Sequence, residues 1–177
     1  MSLTELLVSL AVLGLLLAAT LGLLDEGQRL HAFGAARVES QQSARVALER
    51  MAREIRQAGR GRPDAGFPAV SVAEPTRLVI QFDLDGDGVI AGNGETVTWW
   101  LQGRILRRDA GGGAQPVING VRALRFTYLD AAGAPTGHPT AVRAIGIDLT
   151  TEPDHVAAGP GRRAEARAST LVRLRNR

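Results

Sequence analysis

Hydrophobic and polar residues are unevenly spread along this chain. From Leu6 to Leu24 it reads LLVSLAVLGLLLAATLGLL, with no charge and no proline. At 1.5 Å rise per residue this run predicts a helix roughly 28 Å long, enough for one bilayer core. Asp25 and Glu26 end the run, but helical spacing continues: Ala44, Leu48, Met51, Ile55 and Ala58 recur at intervals of four and three. Glu49 and Arg53 stand four apart in the favourable order for a surface pair. The Gly- and Pro-rich stretch from Gly59 to Pro68 breaks the pattern. One continuous helix from Ser2 to Gly59 is therefore predicted, apolar all round in its first half and amphipathic in its second.

Beyond the break the period changes to two. Arg77 to Asp83 alternates Leu78, Ile80 and Phe82 on one face. Further strands are predicted at Thr96 to Gln102, Ile105 to Arg108, Val121 to Leu129, Ala141 to Thr150 and Leu171 to Arg175. Glycine-rich turns separate them at 92–94, 111–113 and 131–135. Residues 152–168 read as an exposed loop. A helix followed by a run of strands predicts an α+β fold, in which an antiparallel sheet packs on the amphipathic half-helix. The divisions are a membrane or filament-core half-helix over 1–24, an amphipathic half-helix over 25–59 and a β-rich head over 60–177.

Composition narrows the chemistry. The 177 residues suffice for one ordinary domain. There is no cysteine, which excludes disulfides, thiolate zinc sites and thiol catalysis. A net charge of +3 does not mark a polyanion-binding protein. A secretory signal peptide normally opens with a basic residue and has a shorter apolar run; this segment opens MSLTE, so a membrane anchor is the better reading.

Glu5 sits at the mouth of the apolar helix. A first-turn acid gains from the helix dipole, while in an apolar setting it also calls for a cation. The nearest candidate is a free amine at Met1, its own or that of a neighbouring subunit. The segment SLTELLVSLAVLGLLLAA resembles the N-terminus of type IV pilins and type II secretion pseudopilins. The resemblance implies a processed, usually methylated first residue with Glu at the fifth mature position. Met1 would then stand where Phe is commoner, with numbering starting at the processed end. It further implies a helical spine with a β-rich head, assembly into a helical filament, and passage through the inner membrane before assembly. The segments SARVALERMAREIRQAG and GVRALRFTYLDAAGAPT resemble minor pilins of the PilW type, and J-class pseudopilins have a similar helix. The expected function is that of a structural minor subunit rather than an enzyme, with other pilin or pseudopilin subunits and the assembly machinery as partners. The competing expectations are a major subunit of an unusual filament, a membrane-anchored adhesin and a membrane-tethered enzyme.

One cluster suggests a metal. Asp83, Asp85 and Asp87, followed by Gly88, resemble the start of an EF-hand-like calcium loop. The Val89 carbonyl falls at the seventh position, and Asn93 or Glu95 could close the site, one on either side of Gly94 at the twelfth. A solvated acidic turn is the competing reading. His31, His138 and His155 show no ligand spacing, and no phosphate-loop or nucleophile motif is present. Arg162, Arg163, Arg167, Arg173, Arg175 and Arg177 make the C-terminus basic. With few aromatics interleaved, they read as the charged face of an edge strand, and no nucleic acid is expected. Trp99 and Trp100 must point to opposite faces of one strand, one into the core and the other towards a partner or an arginine.

Overall fold

A computed structural model describes residues 2–62, 66–153 and 165–176. Helix α1 runs unbroken over Leu3–Gln57. Its start is a capping box: the Ser2 hydroxyl accepts from the Glu5 amide, and the Glu5 carboxylate accepts from the Ser2 amide. Its end is set by Gly59, whose φ of 74° suits glycine. A Cβ there would lie 2.6 Å from the Asn176 carbonyl oxygen and 2.9 Å from the Ala69 Cβ. The C-terminal segment therefore closes directly over the helix end, and the Asn176 amide donates to the Ala58 and Gln57 carbonyls.

Among the described residues eight strands follow: β1 (Val70–Ala73), β2 (Arg77–Gln81), β3 (Thr96–Gln102), β4 (Ile105–Asp109), β5 (Gln115–Ile118), β6 (Val121–Leu129), β7 (Ala144–Thr151) and β8 (Ala166–Arg173). They form two antiparallel sheets rather than one: a five-stranded meander β1-β2-β3-β4-β5 and a three-stranded meander β6-β7-β8. The Phe126 amide donates to the Pro75 carbonyl at 2.7 Å and the Tyr128 hydroxyl to the Glu74 carbonyl at 2.7 Å, tying β6 to the β1–β2 turn. Burial, and secondarily the Glu74 carboxylate, hold the Tyr128 hydroxyl well above its usual pKa.

The α+β architecture stands as the hydrophobic pattern predicted. The second half of α1 packs on β8 and β7, with β5 alongside. Its buried face begins only at Ala36 and continues through Ser40, Ala44, Ala47, Leu48, Met51, Ala52 and Ile55. Most of residues 25–35 are therefore exposed, and the packed part is shorter than the predicted amphipathic half. Alanines on this face, and Ala166 on β8, let helix and strand backbones approach closely. Inner-face residues of both sheets complete one core, including Leu78, Ile80, Trp99, Leu106, Phe126 and Ile147.

Several boundaries differ from the sequence reading. β1 and β5 were not expected; each is four residues long, and pairing with a longer neighbour makes it a strand. Phe82 and Asp83 lie beyond β2, because the chain turns there into the acidic loop. A short 3-10 turn at Pro139–Ala141 delays β7 to Ala144. The last strand starts at Ala166, inside the stretch read as loop; Ala, Ser and Thr give it little strand propensity, and its register with β7 holds it. Glu49 pairs with Arg45 at 3.2 Å rather than with Arg53.

Candidate functional site

Two features remain once the fold is accounted for. The first is the uncovered half of α1. An 18-residue window of this helix has a mean hydropathy of 2.5 and none of it is buried. Leu3, Leu6, Leu7, Leu10, Leu13, Leu16 and Leu17 are all more than half exposed. Among the described residues there is thus one helix, near the N-terminus, long and apolar enough to span a membrane. Apolar surface of this extent requires lipid or protein cover. Within it Glu5 is exposed, and its only hydrogen bonds among the described residues are those of the helix start. Met1, the expected source of a cation, lies outside the described residues. The role of Ser2 went unread in the sequence, although serine followed three residues later by glutamate before an apolar run is the signature of a capping box.

The second feature is the acidic loop between β2 and β3. Asp83 is buried at its base, where its two oxygens accept from the Gly86 amide at 2.6 Å and the Gly88 amide at 3.1 Å. Asp85 accepts from the Asp87 amide, and Asp87 from the Val89 amide. One oxygen of each of the three carboxylates can be chosen so that all lie within 4.8 Å of one another. Positive φ at Gly86 (81°) and Gly88 (86°) makes this tight turn possible.

The other expected ligands are placed differently. Glu95 is buried beneath the loop, and its carboxylate accepts from the amides of Leu84 at 3.0 Å, Ala91 at 3.1 Å and Gly92 at 2.6 Å. These backbone bonds, those to Leu84 and Gly92 foremost, hold its pKa below the ordinary 4.5. Glu95 thus organises the loop backbone and stands apart from the three converging aspartates. The Asn93 side chain lies against the β4–β5 turn, where a Cβ on Gly111 would meet its Oδ1 at 2.8 Å. Val89 is exposed, and its amide caps Asp87.

The remaining sequence candidates fall apart in space. His31 and His138 are exposed on separate elements, and His155 lies outside the described residues, as do Arg162, Arg163 and Arg177. Arg167 and Arg173 are on the exposed side of β8, as an edge strand requires. Trp99 is fully buried and Trp100 only partly, as their alternation demands. A further polar junction leaves no local signal along the chain: the Glu54 carboxylate of α1 accepts from the Trp99 indole N–H at 2.8 Å and from Arg108 Nε at 2.8 Å, joining the helix to the five-stranded sheet. No protein-family model matches the chain, and no curated protein matches it.

Proposed function

We propose that this chain is a pilin-like structural subunit, anchored in the inner membrane and then packed into a helical filament through the first half of α1. The observation that carries the reading is the sharp division of one unbroken helix. Residues up to 35 are almost all exposed and are strongly apolar as far as Leu24, whereas from Ala36 onward the helix supports a folded β head. Such a helix can be covered by lipid at one stage and by copies or relatives of itself at another. The resemblance of SLTELLVSLAVLGLLLAA to pilin N-termini supports the filament over a simple anchor. Its later segments favour a minor subunit of a type IV pilus, ahead of a J-class pseudopilin, a major subunit or an adhesin.

Glu5 supplies the test. In a filament its carboxylate would lie among apolar helices, where an unpaired charge costs a few kcal/mol, so it should pair with the N-terminal amine of a neighbouring subunit. Glu5→Ala should leave the head folded and the membrane pool unchanged while reducing incorporation into filaments, read by immunoblot of sheared filaments. Normal incorporation would count against the pairing.

We further propose that the β2–β3 loop takes calcium. Three hard carboxylate oxygens within 4.8 Å are suitable donors for that ion. With Glu95 outside the converging group, Asp83, Asp85 and Asp87 would carry the site, with water or the Val89 carbonyl completing it. So few protein ligands imply weak affinity, roughly 0.1 to 1 mM. At 100 times that constant, calcium should stabilise the head by about 2.7 kcal/mol. Thermal unfolding with calcium and with chelator should therefore differ, and Asp85→Ala should abolish the difference. Identical melting in both, with no heat of binding, would leave an acidic turn.

A further inference from the structure

The outer face of the five-stranded sheet carries an unpartnered aromatic and cationic row. Arg77, Trp100, Arg107 and Pro116 are direct cross-strand neighbours on β2, β3, β4 and β5. Cross-strand partners share a face, so this row lies opposite buried Trp99. The next row on the same face brings Thr98 opposite Asp109. Arg77, Thr98, Trp100 and Asp109 line a shallow depression of about 250 Å³.

The cationic groups and the indole N–H here are not used by the fold. Among the described residues the guanidinium groups of Arg77 and Arg107 and the Trp100 indole N–H have no partner. Arg107 Nε is, among the described residues, the one buried side-chain nitrogen or oxygen left without a hydrogen bond. Its guanidinium is thus held against the sheet and partly stripped of water, which strengthens its pull on an anion. Asp109 Oδ1 accepts from the Gly111 and Gly113 amides, and its other oxygen has no partner among the described residues. Two cations against one carboxylate leave a local excess of positive charge beside a flat apolar surface.

We propose that this row binds an acidic sugar. The ring's C–H face would lie on Trp100, its carboxylate on the forks of Arg107 and Arg77, and a hydroxyl on that other oxygen of Asp109. Asp109 and the presence of one half-buried aromatic in this row disfavour a polyphosphate strand, which wants several stacking platforms and no acid in its path. The site lies on the head, so it stands or falls independently of how the chain is anchored.

The test uses the full chain in detergent micelles. A galacturonic acid trimer, the neutral galactose trimer and a thymidine oligonucleotide are titrated by calorimetry and tryptophan fluorescence. The acidic trimer should give saturable binding and shift the emission of Trp100, with the neutral trimer roughly tenfold weaker or worse. Trp100→Ala should abolish binding. Arg77→Glu, an exposed change remote from the core, should do the same with unchanged melting. The proposal is overturned by no saturable binding of the acidic trimer, equal binding of the neutral trimer, tighter binding of the oligonucleotide, or acidic-trimer binding that survives Arg77→Glu.

Discussion

Replacing Glu54 by alanine should loosen the head from the helix that carries it. Glu54 is 16% exposed and bonds two donors of the five-stranded sheet, Trp99 Nε1 and Arg108 Nε, each at 2.8 Å. Arg50 on the same helix is more distant, at 3.7 Å. Truncation leaves the indole N–H of fully buried Trp99 with no acceptor, a cost of about 1–3 kcal/mol. It also leaves Arg108, 21% exposed, without its carboxylate. Breaking a fully buried pair costs about 3–5 kcal/mol, and partial exposure lowers that figure. A total near 3 kcal/mol follows, or roughly 6–12 °C in melting temperature for a unit of this size. Glu54→Gln keeps one acceptor oxygen and should lose about half as much. A cycle combining Glu54→Gln with Trp99→Phe should show coupling of about 1 kcal/mol. Near-ultraviolet circular dichroism of the full chain in micelles, followed through heating, reads all five proteins. Were Glu54→Ala within about 0.5 kcal/mol of the parent, the carboxylate would not be the link between helix and sheet.

Two further outcomes follow from the loop and the helix end. Because the folded Glu95 carboxyl has a lowered pKa, the stability it lends is present above its ordinary 4.5 and is lost as pH falls through the folded value. Glu95→Gln should flatten the acid limb of a melting-temperature profile, and an unchanged limb would show that another carboxylate sets it. Gly59→Ala should destabilise by roughly 2–3 kcal/mol, since φ of 74° and a backbone carbonyl 2.6 Å away both oppose a Cβ. Gly66→Ala has similar positive φ but open space, and should cost only about 1 kcal/mol; equal losses at the two sites in denaturant titrations would rule out the clash with Asn176.

The sequence by itself determined what depends on period and composition. The long helix was legible because nineteen uncharged residues run into a pattern of fours and threes; Ala44, Leu48, Met51, Ile55 and Ala58 are all buried as that pattern predicted, while Ala47 and Ala52, off the pattern, are buried as well. The central strands were legible from alternation, including that the two adjacent tryptophans face opposite ways; that Trp99 is the buried one was decided by the fold. The convergence of Asp83, Asp85 and Asp87 was legible because alternate residues followed by glycine describe a local turn. Tertiary structure decided what depends on partners distant in the chain. β8 is rich in alanine, serine and threonine, and only pairing with β7 beneath the helix makes it a strand. The division into two sheets was set by where β6 turns from β5 to pair with β7. Glu95 looked like the loop's closing ligand, yet folding drew it under the loop, where backbone amides without partners were the stronger claim on its charge. The same holds for Glu54 and for the row through Trp100. Hydrogen bonds and cross-strand faces between residues tens of positions apart leave no period in the sequence, so only the folded chain reveals them.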